Sequence, residues 1–185
     1  WDRDGYLSER EQVLIANPDQ VIFVIACAEP DPTLRMLDRL LVGAEVQQIP
    51  AIVCANKIDL VEPGVPEELF GIYEEIDYPV IYTSAETGEG VDELARELQG
   101  RVSALVGPSG TGKSSLLNAI QPGLGLRVQK VSEATSKGRH TTVAREMYPL
   151  DEGGWVADTP GVRALALFDR GRVSDIVAGE NFSSN

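Results

Sequence analysis

Continuous apolar runs alternate with amphipathic segments through most of the chain. The first run, residues 21–27, contains no polar residue, which is typical of a parallel strand that is covered on both faces. Further strands are predicted at 51–55, 80–83, 101–106, 144–150 and 155–157. The Asp-Glu-Gly-Gly sequence at 151–154 separates the last two strands and predicts a hairpin between them.

Segments with helical spacing of apolar residues lie between these strands. Pro32 is predicted to open the first helix, with Asp31 in the cap position and Leu34, Leu37, Leu40 and Leu41 on one face. Three more helices are predicted at 67–76, 91–98 and 115–120. Strands that alternate with helices favour an α/β fold with a doubly wound, mostly parallel sheet. Ligands of such sheets bind in the crevice at the carboxyl ends of the strands.

A phosphate-binding motif follows the predicted strand at 101–106. The segment 107–114 fits the P-loop pattern G-x-x-x-x-G-K-[ST], in which backbone N–H groups surround a polyphosphate. Lys113 would neutralise the phosphates and assist catalysis, and the Ser114 hydroxyl would hold Mg²⁺. The predicted phosphate-binding residues are Gly107, Pro108, Ser109, Gly110, Thr111, Gly112, Lys113, Ser114 and Ser115.

Two further motifs predict that the base is guanine. Asn56, Lys57 and Asp59 form an N-K-x-D sequence after the strand at 51–55. The Asp59 carboxylate can accept from the N1–H and the exocyclic amine of guanine, a donor pair that adenine lacks. Asn56 would bond the base edge and the P-loop, and the ammonium of Lys57 would bridge back to the P-loop. After the strand at 80–83, the N–H of Ala85 would meet guanine O6, and Ser84 would brace the turn.

The last predicted strand ends in Asp158-Thr159-Pro160-Gly161. Asp158 would hold Mg²⁺ through water, and the N–H of Gly161 would meet the γ-phosphate. Thr142, with Thr141 in reserve, would complete the magnesium shell from a polar loop at 123–142. His140 is the one histidine of the chain and a candidate for orienting the attacking water, although it could equally be a solvated loop residue.

These motifs stand in a permuted order. An ordinary GTPase begins with the P-loop and ends with the N-K-x-D and S-A motifs, whereas this chain begins with the last two. The sequence therefore predicts a circularly permuted GTPase domain, in which the short link at Gln99 and Gly100 joins what are usually the two termini.

Composition narrows the classes of partner and compartment. Net charge is −13, but residues 1–100 carry 21 acidic and 6 basic side chains, whereas 101–185 carry 8 and 10. Such an acidic chain is a poor general nucleic-acid binder, although the basic segment 127–145 could meet an RNA backbone.

Cys27 and Cys54 lie in apolar runs and are expected to be buried free thiols in a reducing compartment. No apolar run has the length of a membrane span, so we expect no membrane contact.

The P-loop form G-P-S-G-T-G-K-S-S-L-L-N, the stretch G-R-H-T-T and the ending D-T-P-G-V resemble the ribosome small-subunit-dependent GTPase A (RsgA) family. This resemblance implies a subunit-stimulated GTPase that binds GTP, GDP and Mg²⁺ and acts in late maturation of the small ribosomal subunit and its rRNA. It also implies a cytoplasmic monomer. Residues 1–19 would be a linker and the end of an N-terminal domain, 20–168 the permuted GTPase domain, and 169–185 the start of a C-terminal domain, which would carry the zinc of the family.

Two alternative functions remain open at this stage. The residue after Gly161 is Val162, which cannot orient water as a glutamine would, so intrinsic hydrolysis is expected to be slow. The chain could therefore be a nucleotide-gated ribosome-binding module with negligible turnover. The P-loop also resembles that of guanylate kinase, but such kinases carry no N-K-x-D motif before the P-loop.

Overall fold

The computed structural model describes residues 18–126 and 146–158, which form one sheet with helices on both faces. The six strands are β1 (Gln20–Ala26), β2 (Ala51–Asn56), β3 (Val80–Thr83), β4 (Val102–Val106), β5 (Glu146–Pro149) and β6 (Trp155–Asp158). Every predicted strand is present within a few residues of its expected bounds, and β3 has the bounds that were predicted. The expected residues 144 and 145 of β5 lie outside the described part of the chain.

The strands lie in the order β3-β2-β1-β4-β6-β5. All neighbouring pairs are parallel except β5 and β6, which form the antiparallel hairpin that the 151–154 turn predicts. The prediction of a doubly wound, mostly parallel sheet is therefore confirmed. Because β1 to β4 and β6 run the same way, their carboxyl ends share one edge of the sheet.

Four α-helices connect the strands: α1 (Leu34–Gln47), α2 (Val65–Glu75), α3 (Val91–Leu98) and α4 (Lys113–Ile120). Short 3-10 helices follow β2 at Ile58–Leu60 and α4 at Pro122–Leu124. Helix α3 has its predicted bounds. Helix α2 begins two residues earlier than predicted, because Pro66 occupies its first turn, where the missing N–H of proline removes no helical hydrogen bond.

The predicted start of α1 is wrong. Thr33, not Asp31, precedes the helix, and it makes no side-chain capping hydrogen bond. The carbonyl of Thr33 accepts from the N–H groups of Met36 and Leu37 at 3.0 and 3.1 Å, so it is the first helical acceptor. Pro32 and Asp31 consequently belong to the loop after β1.

The core consists of two apolar clusters on opposite faces of the sheet. Alternate residues of β1 contribute to each, with Val21, Phe23 and Ile25 on one face and Ile22 and Val24 on the other. Helices α1 and α2 cover the first face, and α3 and α4 cover the second. This double coverage explains why the run at 21–27 lacks polar residues.

A polar network ties β1 to the link between α3 and β4. Gln20, which is 2% exposed, donates to the carbonyl of Glu97 at 2.8 Å and to the Ser103 hydroxyl at 2.9 Å. The oxygen of its amide accepts from the Arg101 guanidinium at 2.7 Å. These bonds satisfy a buried amide at the amino ends of the strands, the edge opposite to the P-loop.

The β5–β6 turn packs against the same link. The N–H of Gly100 donates to the Gly153 carbonyl at 3.0 Å, and the N–H of Trp155 donates to the Arg101 carbonyl at 2.9 Å. Gly154 has φ +103°, and a Cβ atom there would lie 2.6 Å from the carbonyl oxygen of Leu98. The short Gln99-Gly100 link is therefore held by backbone contacts that leave no room for a side chain at residue 154.

Both cysteines are buried free thiols, as predicted. Within residues 18–126 and 146–158, no helix has the length and apolarity that crossing a membrane requires.

Gly154→Ala should lower the free energy of unfolding by about 2 kcal/mol or more, because the new methyl group meets backbone atoms in a strained conformation. The matched control is Gly71→Ala in α2, where a Cβ atom meets nothing within 4 Å. This control should stabilise the protein by up to about 1 kcal/mol, because alanine has the higher helix propensity. Urea denaturation of both variants measures the difference, and a Gly154→Ala protein as stable as the parent would contradict this account of the link.

Candidate functional site

The motif-bearing loops lie together at the carboxyl edge of the sheet. The P-loop follows β4, the N-K-x-D segment begins at the last residue of β2, and the S-A segment follows β3. Two of these strands are direct neighbours, since β2 pairs with β3 so that Asn56 lies opposite Thr83. Because β1 separates β2 from β4, the N-K-x-D segment must reach across the end of β1 to touch the P-loop.

The P-loop connects β4 to α4, and Lys113 is the first residue of that helix. Lys113 is 7% exposed, and its ammonium donates to the carbonyls of Gly107 and Pro108 at 2.8 and 2.9 Å. The Thr111 hydroxyl donates to the same Pro108 carbonyl at 3.0 Å. The P-loop thus surrounds Lys113, the lysine that the G-x-x-x-x-G-K-[ST] motif requires, with its own carbonyl groups. Ser114 and Ser115 follow in the first turn of α4, and Ser109 is exposed at the loop tip.

Asn56 links the N-K-x-D segment to the P-loop. Its amide nitrogen donates to the Thr111 carbonyl at 2.7 Å, and its side chain is 1% exposed. The close approach depends on Gly112, which has φ +95° and where a Cβ atom would lie 2.3 Å from the amide nitrogen of Asn56. Any side chain at residue 112 would therefore push the two loops apart.

Lys57 differs from its prediction. The ammonium donates to the backbone carbonyl of Glu29, in the loop after β1, and not to the P-loop. The left-handed backbone of Lys57, with φ 63°, directs the side chain past Gly112, where a Cβ atom would lie 3.9 Å from Cε of Lys57. The ammonium therefore reaches the loop after β1 while the stem still runs beside the P-loop. Asp59 lies two residues further on, exposed in the 3-10 helix.

The loop after β3 has the brace that the sequence predicted. The Ser84 hydroxyl accepts from the N–H of Thr87 at 3.1 Å, and the Ser84 carbonyl accepts from the N–H of Gly88 at 2.9 Å. Ser84 is buried, and Ala85 is partly exposed at the start of the turn.

The charge state of the Cys27 thiol depends on its burial and on carboxylates in and near the N-K-x-D segment. Burial, together with the smaller effects of the carboxylates of Glu67 and Asp59, raises the pKa of Cys27 to about 11. The thiol is therefore neutral at physiological pH. It adds no negative charge beside Asp59.

Some predicted site residues lie outside the described part of the chain. They are His140, Thr141, Thr142 and Gly161, and their roles stay predictions. The backbone of Asp158 ends β6, where residue 158 lies opposite Leu105 of β4, so it is next to the strand that enters the P-loop.

Sequence reasoning missed the contribution of Thr83. Its hydroxyl lies 3.1 Å from Oδ1 of Asn56, and both side chains are buried. No local pattern in the sequence marks this contact, because it depends on the register in which β2 pairs with β3.

Comparison with known proteins gives a consistent result. The family model described as RsgA GTPase matches residues 2–168. The small ribosomal subunit biogenesis GTPase RsgA of Gemmatimonas aurantiaca is 52% identical over 158 residues, which are 85% of this chain and 52% of that protein. The protein of the same name from Moorella thermoacetica is 51% identical over 156 residues, 83% of this chain and 52% of that one. The chain thus spans about half the length of these curated relatives.

Solved structures agree with the sheet described above. The crystal structure of YjeQ from Thermotoga maritima matches with a TM-score of 0.66 and 38% identity, over 82% of this chain and 50% of that one. YloQ, described as a circularly permuted GTPase, matches with a TM-score of 0.57 and 33% identity, over 80% of this chain and 46% of that one. The predicted α/β fold of a permuted P-loop GTPase is therefore confirmed, and the chain belongs to the RsgA GTPase family.

Proposed function

We propose that this chain is the GTP-binding and GTP-hydrolysing domain of a factor that acts on the small ribosomal subunit during its assembly. The observation that carries the proposal is the 2.7 Å hydrogen bond from Asn56 to the Thr111 carbonyl, which joins a guanine-binding motif to a phosphate-binding loop. A guanylate kinase with a similar P-loop would not need an N-K-x-D segment that is hydrogen-bonded to that loop. The names of the relatives support the ribosomal role.

Base recognition is assigned to three residues. Asp59 is exposed, so its carboxylate can meet the N1–H and exocyclic amine of guanine. One N–H of the Asn56 amide is used by Thr111, and the second is left for an acceptor on the base edge. The backbone N–H of Ala85 would meet O6, with the loop braced by Ser84.

Phosphate recognition is assigned to the P-loop and the first turn of α4. The helix N-terminus carries a partial positive charge that favours an anion, and the ammonium of Lys113 already lies inside the loop. Transfer of the γ-phosphoryl group to water places negative charge on its oxygens, so fixed N–H groups and Lys113 would stabilise the transition state.

The residues at this edge also suit Mg²⁺. Ser114 stands in the first turn of α4, and Asp158 ends the strand beside β4, as a P-loop serine and a Walker-B aspartate should. Thr142, or Thr141, would complete the ligand set. When bound, the ion would neutralise negative charge on the phosphates.

The group that orients the attacking water is not among these residues. Val162 cannot do so, and His140 or a group of the ribosome is left as the candidate. This arrangement favours slow intrinsic turnover that increases on the subunit. Slow intrinsic turnover is also consistent with the alternative, a nucleotide-gated binding module with negligible turnover.

Other parts of the proposal concern the larger protein. They are contact with the rRNA of the small subunit, action as a cytoplasmic monomer, and a GTPase domain bounded at residues 20 and 168. Zinc would belong to a C-terminal domain of the family, since the resemblance to the RsgA family places no zinc ligand in the permuted GTPase domain.

Steady-state GTP hydrolysis by the chain should be slow alone and should rise by roughly 100-fold with purified small ribosomal subunits, because the subunit supplies or orders the missing catalytic group. Lys113→Ala is the control for contaminating activity and should abolish the stimulated rate. If turnover stays negligible while a non-hydrolysable GTP analogue retains the protein on the subunit, the binding-module alternative replaces this proposal.

Asp59→Asn should exchange base preference from guanine to xanthine, because the new amide donates where the carboxylate accepted. GDP affinity should fall by roughly 100-fold or more, and affinity for xanthosine diphosphate should rise. Glu62→Gln is the matched control, since it removes one exposed carboxylate three residues away and should leave GDP affinity unchanged. Calorimetric titration of both variants with GDP and with xanthosine diphosphate measures these affinities. An Asp59→Asn protein that still prefers GDP would remove Asp59 from base recognition.

A further inference from the structure

Two side-chain amides at the end of α4 bind the chain on either side of the segment 127–145. Asn118 lies in the second turn of the helix, and Gln121 follows its last residue. Asn118 binds Leu126, the residue before that segment. Gln121 binds Asp151, in the turn that follows β5. Neither amide has a part in the nucleotide contacts proposed above.

The Asn118 amide pairs with both polar groups of the Leu126 backbone. Its nitrogen donates to the Leu126 carbonyl at 2.8 Å, and its oxygen accepts from the Leu126 N–H at 2.8 Å. A reversed amide would set donor against donor and acceptor against acceptor, so the contact permits one orientation of the amide. The Leu126 side chain packs against the apolar cluster that α3 and α4 cover. Leu126 is therefore held through its backbone and through its side chain.

The Gln121 amide binds the start of the β5–β6 turn in a similar way. Its oxygen accepts from the Asp151 N–H at 2.9 Å, and its nitrogen donates to Oδ1 of Asp151 at 3.3 Å. Leu150, the residue before Asp151, is 9% exposed and belongs to the apolar cluster against which Leu126 packs. The residues on both sides of the intervening chain are thus fixed to the end of one helix and to one part of the core.

The same side of α4 carries Ser114, a predicted ligand of Mg²⁺. Asn118 is four residues after Ser114, and Gln121 is three residues after Asn118, a spacing that places all three on one side of a helix. The two amides therefore bind their partners on the side of α4 that carries Ser114. The sequence between those partners contains Thr142, which is predicted to complete the magnesium shell to which Ser114 contributes.

We propose that Asn118 and Gln121 are positioning residues for the GTP-bound state, because they fix both ends of the chain that carries Thr142 on the Ser114 side of α4. The inference rests on the proposed function, since it concerns contacts with the γ-phosphate and Mg²⁺. Neither amide touches the nucleotide. Fixing the ends of a chain segment lowers the entropy cost of placing a residue within it, so the two amides should strengthen binding of GTP more than binding of GDP.

Asn118→Ala and Gln121→Ala should each weaken the binding of a non-hydrolysable GTP analogue with Mg²⁺ by roughly fivefold, because each variant loses two hydrogen bonds. GDP affinity should stay unchanged, since the P-loop and the N-K-x-D segment keep all their contacts. Gln121 is partly exposed, so its variant should fold even if Asn118→Ala lowers stability. Calorimetric titration of each variant with the analogue and with GDP measures these affinities.

Gln99→Ala is the matched control. The Gln99 amide donates to the Glu152 carboxylate of the same β5–β6 turn, but from the link between α3 and β4. Its loss should leave the affinities for the GTP analogue and for GDP unchanged.

Three results would contradict these assignments. Equal losses of affinity for the analogue and for GDP would overturn the inference, because the amides would then support the P-loop helix as a whole. An unchanged affinity for the analogue in either variant would overturn the assignment of that residue. Absence of GDP binding by the parent protein would overturn the proposed function, whereas normal GDP binding by the parent separates the two failures.

Discussion

The hydrogen bond between the Asn56 amide and the Thr111 carbonyl is the contact on which the site depends. It joins two loops that are 55 residues apart in the sequence and that lie on either side of the end of β1. Without it, the N-K-x-D segment and the P-loop would be separate turns at one sheet edge. Gly112 makes the contact possible because it has no Cβ atom to hold the two loops apart.

The permuted order of the motifs does not disturb the site, and the parallel sheet explains why. A parallel sheet gathers the carboxyl ends of its strands at one edge, whatever the order in which the chain visits them. The link that the permutation requires, Gln99-Gly100, lies at the opposite edge. There the β5–β6 turn bonds Gly100 directly, and Gln20 and Gly154 contact the residues on either side of the link. The link and the site are thus at opposite ends of the same strands.

The P-loop, the N-K-x-D segment and most of the sheet could be predicted from the sequence, because their signals are local. Apolar runs mark buried strands, and the P-loop glycines and lysine stand at fixed spacing. The start of α1 and the bond of Lys57 could not be predicted in this way. Both depend on the loop after β1, whose Glu29 carbonyl receives the lysine through a tertiary contact. The contact of Thr83 depends on strand register, which becomes clear only when β2 and β3 are paired.

Amide hydrogen exchange with and without GDP and Mg²⁺, read by mass spectrometry, tests the location of the site most directly. GDP should protect the segments 56–59, 84–85 and 107–114 together, because one ligand contacts or tightens all three loops. Exchange in the 151–154 turn, which lies at the other end of the sheet, should not change. Protection that spares 56–59 while GDP is bound would contradict the claim that the Asn56 loop and the P-loop form a single nucleotide site.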